Sequence, residues 1–155
     1  MPRIVLDVPT SAQEKPYCCW HTGAYMIWLY WQVKGGRAGP MNTVASSYAA
    51  ADHAGLDYAQ FITLAKKVGL NYLPIKNQHS EQDLYRYLHD SGPVWCCGTW
   101  FGPDHIIVLS GVDTNKVYFN DPDGGVKKEN TVKWFNEKLY TQCAGCLMVK
   151  DASAY

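Results

Sequence analysis

The chain has 155 residues, a length that suits one domain with its own hydrophobic core. Its 14 basic and 14 acidic side chains balance without a basic block or stripe, which argues against nucleic acid as a partner. No apolar run approaches the roughly 18 residues that a membrane helix needs, so we expect no membrane partner.

Six cysteines form two adjacent pairs and one C-x-x-C motif: Cys18-Cys19, Cys96-Cys97, and Cys143 with Cys146. Adjacent cysteines rarely bond to each other because the geometry is strained, so the pattern favours reduced thiols. The start, from Met1 to Asp7, becomes acidic too early for a signal peptide. We therefore expect a cytosolic protein, either in its own cell or delivered by a specialised secretion system into a target-cell cytosol.

The first half of the chain is predicted to be mainly helical. After an extended N-terminal segment, the helices cover residues 19–33, residues 58–68 behind the cap Asp57, and the stretch from Ser80 to just before Gly92. The first helix is apolar nearly all round, as is typical of a helix in the centre of a domain. A short strand over residues 70–75 separates the second helix from the third.

The second half is predicted to form a sheet. The strands run from Val94 to Cys97, from His105 to Ser110, from Lys116 to Phe119 and from Cys146 to Val149, with a short helix from Thr131 to Tyr140 before the last strand. Because helices come first and antiparallel strands second, the order predicts an α+β fold.

Cys19 is the candidate nucleophile. It lies where a loop passes into the first predicted helix, and the positive end of a helix dipole favours a thiolate. Gln13 precedes it by six residues, and an oxyanion-binding amide must reach the same point as the Cys19 backbone N–H. Cys18 is the rival nucleophile, although it is one residue too close to Gln13 and is not followed by Trp. A buried structural cysteine is the other alternative.

His105 is the candidate base among the five histidines. It begins an apolar strand, where a polar residue is unusual unless it has a role, and a hydrogen-bonded strand-end histidine is the alternative. His21 is two residues past Cys19 on the same helix and therefore points elsewhere. The others fall in loop-like stretches or near the exposed end of a charged helix: His53, His79 and His89.

Asp121 is predicted to orient His105. Two antiparallel strands joined by a tight turn place their far ends side by side, and these residues begin one strand and end the next. Asn120 is the alternative orienter. Since neighbouring residues of a strand point to opposite faces, only one of the two can contact the imidazole.

The C-x-x-C motif of Cys143 and Cys146 also fits structural zinc. However, no second ligand pair with the usual spacing accompanies it, and the adjacent Cys96 and Cys97 would point to opposite faces of a strand. We expect no metal and no cofactor.

These motifs resemble the papain superfamily of cysteine peptidases. Gln13, Cys19 and Trp20 match the oxyanion glutamine, the nucleophile and the tryptophan that follows it. The stretch from His105 to Asp121-Pro122 is similar to two bacterial branches. These are the bacteriocin-processing peptidase domains of export transporters and the papain-like effector proteases that plant pathogens inject into hosts.

The resemblance implies one papain-like domain over residues 1–155. In that fold a helical subdomain, whose central helix carries the nucleophile, packs on an antiparallel β-sheet. The resemblance also implies roles for four residues, namely Gln13 in the oxyanion hole, Cys19 as nucleophile, His105 as base and Asp121 as its orienting acid.

The expected function is that of an endopeptidase acting on a protein or peptide substrate, as a bacterial effector or interbacterial toxin. A cognate immunity or inhibitor protein is a further expected partner. Two alternatives stay open: an amidase, deamidase or transglutaminase that uses the same triad, and a catalytically silent binding module.

Overall fold

The computed structural model describes residues 3–12, 19–35, 69–74, 76–102, 104–141 and 145–152. Within these residues it has three helices and one antiparallel sheet of seven strands, which confirms the predicted α+β class. The predicted helix over residues 58–68 and its cap Asp57 lie outside the described part. None of the described helices is long and apolar enough to cross a membrane.

In chain order the elements are β1 (Ile4–Val5), α1 (Cys19–Gly35), β2 (Leu70–Tyr72), α2 (Glu81–Ser91), β3 (Val94–Gly98), β4 (His105–Asp113), β5 (Lys116–Asp121), β6 (Val126–Thr131), α3 (Val132–Lys138) and β7 (Leu147–Lys150). The strands lie in the order β2-β7-β3-β4-β5-β6, and β1 pairs with the end of β4. Thus β4, which begins with His105, lies near the middle of the sheet.

Most predicted elements are confirmed, with ends that differ by a few residues. Helix α2 begins with a capping box, since the backbone N–H of Asp83 donates to Ser80 Oγ at 3.0 Å and that of Ser80 donates to Asp83 Oδ2 at 2.9 Å. Thr131 caps α3 by accepting from the backbone N–H of Trp134 at 3.0 Å.

The sequence pattern did not predict strands β1 and β6. The β6 residues read Val-Lys-Lys-Glu-Asn-Thr and are mostly exposed, because β6 is an edge strand. An edge strand of this kind lacks the apolar alternation that identifies half-buried strands. The strand is held by its pairing with β5 from Lys116–Thr131 to Asp121–Val126.

Helix α1 packs against β3 and β4 in the centre of the sheet. Gly23 marks the closest approach, since a Cβ atom there would lie 3.1 Å from Ile106 Cγ2 and 3.2 Å from Trp95 Cδ1. The indole N–H of Trp95 donates to the carbonyl of Trp20 at 3.1 Å. Cys19 lies one turn before Gly23 on the same side of the helix, so it also faces the sheet.

Hydrogen bonds from strands β5 and β6 hold the N-terminal segment, residues 3–12, on the sheet. The Asn120 amide is fully buried and donates to the carbonyls of Val8 at 3.0 Å and Pro9 at 3.3 Å. Lys127, directly opposite Asn120 in the β5–β6 pairing, also donates to the Val8 carbonyl at 2.9 Å. The segment that leads to Gln13 is therefore held in place by two neighbouring strands.

The Asn120 contacts give a stability prediction. Asn120→Ala removes both amide bonds to the N-terminal segment from a buried position, so we expect the free energy of unfolding to fall by about 1–3 kcal/mol. Urea unfolding followed by circular dichroism measures the change. The matched control is Asn71→Ala at an exposed position, where we expect a change within about 0.5 kcal/mol. Equal losses in the two variants would contradict the anchoring role of Asn120.

Candidate active site

Strands β4 and β5 bring His105 and Asp121 together. His105 begins β4 and Asp121 ends β5, and the antiparallel pairing sets these two ends side by side. His105 Nε2 lies 2.7 Å from Asp121 Oδ1. The Asp121 side chain is 2% exposed and that of His105 is 15% exposed. The two residues that the sequence pairs are thus in direct contact and largely shielded from water.

The contact also assigns the protons of the imidazole. An ionised carboxylate only accepts hydrogen bonds, so Nε2 of His105 donates to Asp121. In the neutral ring Nδ1 is then the acceptor. His105 is therefore held in the tautomer that can take a proton at Nδ1, the ring atom next to its backbone.

Asp121 is supplied with donors on both oxygens. Oδ1 accepts from the backbone N–H of Asp123 at 2.9 Å as well as from His105, and Oδ2 accepts from Lys128 Nζ at 2.9 Å. Burial raises the pKa of Asp121, but hydrogen bonds from His105, Lys128 and the Asp123 backbone outweigh it and lower that pKa below its ordinary value. The carboxylate stays charged at neutral pH and through mild acid.

Asn120 points to the opposite face of β5. It is buried among the contacts to the N-terminal segment, and its amide donates to Val8 and Pro9. The alternation along the strand thus gives the imidazole contact to Asp121 and leaves Asn120 as an anchor.

Cys19 is the first residue of α1 and is 2% exposed. Its thiol is one of the groups that raise the pKa of Cys97 on β3. Cys97 pairs with Ile106 on β4, and the next residue, Gly98, pairs with His105. Together with the packing of α1 on β4, this places Cys19 at the end of the sheet where His105 begins.

The other described thiols are poor nucleophiles. Burial raises the pKa of Cys96, whose Sγ donates to the Val94 carbonyl at 3.3 Å. The pKa of Cys97 is raised by its hydrogen bond with Cys146, then by burial. A thiol with a raised pKa stays protonated and unreactive, which separates these residues from a thiol at a helix N-terminus.

The turn between β3 and β4 forms a wall beside His105. Phe101 is 50% exposed, and its ring centroid lies 6.2 Å from that of His105 and 6.0 Å from that of Trp134. The Tyr140 hydroxyl donates to the carboxylate of Asp104, the residue just before His105. The backbone leading into β4 is therefore tied to the segment after α3.

Gln13 and Cys18 lie outside the described residues, as does Cys143 of the C-x-x-C motif. The residues just before Gln13 are described. A Cβ atom on Gly125 would lie 2.8 Å from the backbone N of Ala12, and Gly125 has a φ of 62°. The N-terminal segment thus passes directly over the turn that follows Asp121.

The remaining histidines lack this arrangement in the described part of the chain. His79 is buried, its Nδ1 lies 3.2 Å from the Tyr87 hydroxyl, and burial lowers its pKa. His89 is exposed beside Asp90. His53 and the side chain of His21 lie outside the described residues. Among the described histidines, His105 alone contacts a buried carboxylate.

Sequence reasoning missed Lys128, Phe101 and the pair of Tyr140 and Asp104. Lys128 belongs to the unpredicted strand β6, so no pattern placed it near Asp121. The sequence does show an aromatic residue, Phe101, four residues before the candidate base, but an aromatic residue there does not by itself indicate a site.

Comparison with known proteins gives a family and a similar fold. Residues 2–140 match the family model described as papain-like cysteine protease AvrRpt2. The fold is similar to a crystal structure of a double glycine motif protease from an AMS/PCAT transporter in complex with the leader peptide. That similarity has a TM-score of 0.59 and 16% identity, and it covers 96% of this chain and 97% of that chain. No curated protein matches the chain.

The site geometry predicts the alkylation pattern of the thiols. At pH 7 we expect iodoacetamide to modify Cys19 before Cys96 and Cys97. His105→Ala should slow labelling of Cys19 by about tenfold or more, because an unassisted thiol is only a few per cent thiolate at that pH. Asp121→Asn should keep part of the rate, since an amide oxygen can still accept from Nε2.

Peptide mass spectrometry after timed quenching measures these rates, and Asn120→Ala serves as the control at the neighbouring position. Equal labelling rates in wild type and His105→Ala would show that the imidazole does not activate Cys19. A slow Asn120→Ala with an unaffected Asp121→Asn would identify Asn120 as the orienter.

Proposed function

The chain belongs to the family of the papain-like cysteine protease AvrRpt2, and from this we propose that it is an endopeptidase that cleaves a protein substrate. We assign the nucleophile to Cys19, the base to His105 and the orienting acid to Asp121. Gln13 is assigned to the oxyanion hole. The observation that carries the proposal is the contact of His105 with the buried Asp121 carboxylate, 2.7 Å apart, at the end of the sheet on which the N-terminus of α1 packs.

The reaction proceeds through an acyl-enzyme. His105 takes the thiol proton at Nδ1, and the Cys19 sulfur attacks the carbonyl carbon of the scissile bond. The carbonyl electrons move to oxygen, where the Gln13 amide and the Cys19 backbone N–H stabilise the charge. Collapse of this intermediate breaks the C–N bond, and the proton on Nδ1 passes to the leaving amine.

Water completes the cycle. Nδ1 of His105 accepts a proton from a water molecule while the oxygen attacks the thioester carbon. The C–S bond then breaks and releases the new carboxyl group and Cys19. During both halves Asp121 keeps the ring orientation and balances the imidazolium charge, and its lowered pKa keeps it ionised for that purpose.

The proposed biological setting is that of a bacterial effector or interbacterial toxin, acting as one papain-like domain in a target-cell cytosol. Two observations support it. The stretch from His105 to Asp121-Pro122 is similar to that of injected effector proteases, and the described Cys96 and Cys97 are buried thiols suited to a reducing compartment. A cognate inhibitor or immunity protein would restrain such an enzyme in the producing cell.

Mass spectrometry of new protein N-termini tests the proposal. Bacterial and host-cell lysates are treated with wild type or with Cys19→Ala, and we expect a set of new N-termini only with wild type. Cys18→Ala is the matched control and should retain most of the activity. A dead Cys18→Ala with an active Cys19→Ala would reassign the nucleophile.

The same experiment separates the rival functions. New glutamate or aspartate residues in place of amides, without new N-termini, would identify an amidase or deamidase with the same triad. The absence of any wild-type modification, together with unselective alkylation of the thiols, would identify a silent binding module.

A further prediction concerns redox state and metals. We expect activity to need a reducing agent, because a thiolate is readily oxidised to sulfenic acid or a mixed disulfide. EDTA should leave the rate unchanged, since no step uses a metal. Rates measured with and without dithiothreitol and EDTA check both points. Inhibition by EDTA that added zinc reverses would instead support a zinc site at Cys143 and Cys146.

A further inference from the structure

Lys128 on the edge strand β6 is placed to reach the site from outside the proposed triad. It pairs with Phe119 in the register of β5 and β6, so it lies diagonally across from Asp121 on the same face. Diagonal neighbours in a sheet are within reach of long side chains.

The contacts of Lys128 are specific. Its Nζ lies 2.9 Å from Asp121 Oδ2 and 4.4 Å from the ring centroid of Phe101. The Asp121 side chain is 2% exposed, whereas that of Lys128 is 40% exposed. The ammonium group therefore sits between a buried carboxylate and a half-exposed aromatic ring.

The two carboxylate oxygens of Asp121 bind different partners, and this explains what the contact with Lys128 does. Oδ1 is occupied by His105 and by the backbone N–H of Asp123. Among the described residues, Lys128 is the side chain that binds Oδ2, and the titratable groups that contact the carboxylate are His105 from β4 and Lys128 from β6. Rotation of the carboxyl group away from His105 would break the bond to Lys128 as well.

We propose that Lys128 is a positioning residue of the active site, which holds Oδ2 of Asp121 so that Oδ1 stays directed at His105. The inference rests on the proposed function, because it assumes that His105 and Asp121 work as base and orienting acid.

The energetics of burial explain why a cation is needed at this place. A buried carboxylate oxygen without a donor carries a large desolvation cost, and a carboxyl group in that situation takes up a proton. A protonated Asp121 would no longer balance the imidazolium that forms at His105. Burial is the largest influence on the pKa of Asp121 and raises it, so that pKa should rise when the Lys128 contribution is removed.

The test compares three variants. Lys128→Met removes the charge and keeps the length of the side chain, and Lys128→Arg restores a charge. Lys116→Met is the matched control, because Lys116 lies on the adjacent strand and its Nζ contacts only the exposed Glu129 at 3.3 Å among the described acidic groups.

Two readouts are measured on each full-length variant. The first is the titration of the Asp121 carboxyl carbon by NMR in protein labelled with ¹³C-aspartate, assigned by its loss in Asp121→Asn. The second is kcat and KM on a substrate found in the N-terminus search. We expect Lys128→Met to raise the pKa of Asp121 and to lower kcat by about tenfold with KM unchanged, which corresponds to a loss of one charge-assisted contact. Lys128→Arg should restore both values, and Lys116→Met should change neither.

Several outcomes would overturn the inference. In Lys128→Met, an unchanged Asp121 titration with an unchanged kcat would show that the contact does not hold the carboxylate. A rise in KM alone would assign Lys128 to substrate binding. A loss of kcat that follows a lower free energy of unfolding, and that Lys128→Arg does not restore, would assign it to folding. The carboxyl titration needs no substrate, so it reports on Lys128 even if wild type releases no new N-termini and the proposed function fails.

Discussion

A buried carboxylate needs a donor for each oxygen, and Asp121 obtains its donors from three separate parts of the chain. His105 comes from the start of β4, the Asp123 N–H from the turn after β5, and Lys128 from β6. A shift of β4 or β6 by one residue would turn one of these donors to the other face of the sheet. The electrostatic requirement of one side chain and the register of three strands are therefore mutually dependent.

Because side chains alternate along a strand, the two faces of the β5–β6 pair contact different parts of the molecule. On one face Asp121 and Lys128 contact each other beside His105. On the other face Asn120 and Lys127 lie opposite each other and both bind the carbonyl of Val8. The strand pair that holds the imidazole thus also holds the segment leading to Gln13. A disturbance of the β5–β6 pairing would affect the proposed base and the segment leading to the proposed oxyanion glutamine together.

The success of the sequence analysis follows the strength of the local signals. The apolar helix after Cys19, the strand after His105 and the capping box at Ser80 carry dense patterns, and the structure has all three. That the end of β5 meets the start of β4 could be predicted, because a tight turn joins two antiparallel strands. The register shift between Leu109 and Gly111 could not be predicted, and it is this shift that puts Asp121 rather than Asn120 on the face of His105.

Strand β6 and the Lys128 contact were not predicted, and one physical cause explains both. An edge strand needs no apolar face, so β6 is indistinguishable from a polar loop in the sequence. With β6 unpredicted, Lys128 is one of several lysines in a polar stretch, and nothing in the chain order places it at Asp121. Contacts that depend on diagonal neighbours across two strands become visible only when the register is known.

Electrostatics, more than exposure, distinguishes the proposed nucleophile from the other thiols. Cys19 is as fully buried as Cys96 and Cys97, so accessibility alone does not select it. Cys96 and Cys97 lie inside a strand, where burial and a neighbouring thiol raise their pKa values. Cys19 instead is the first residue of α1, and the positive end of a helix dipole favours a thiolate at that position. The same sheet end that supplies His105 therefore holds two thiols with raised pKa values beside the proposed nucleophile.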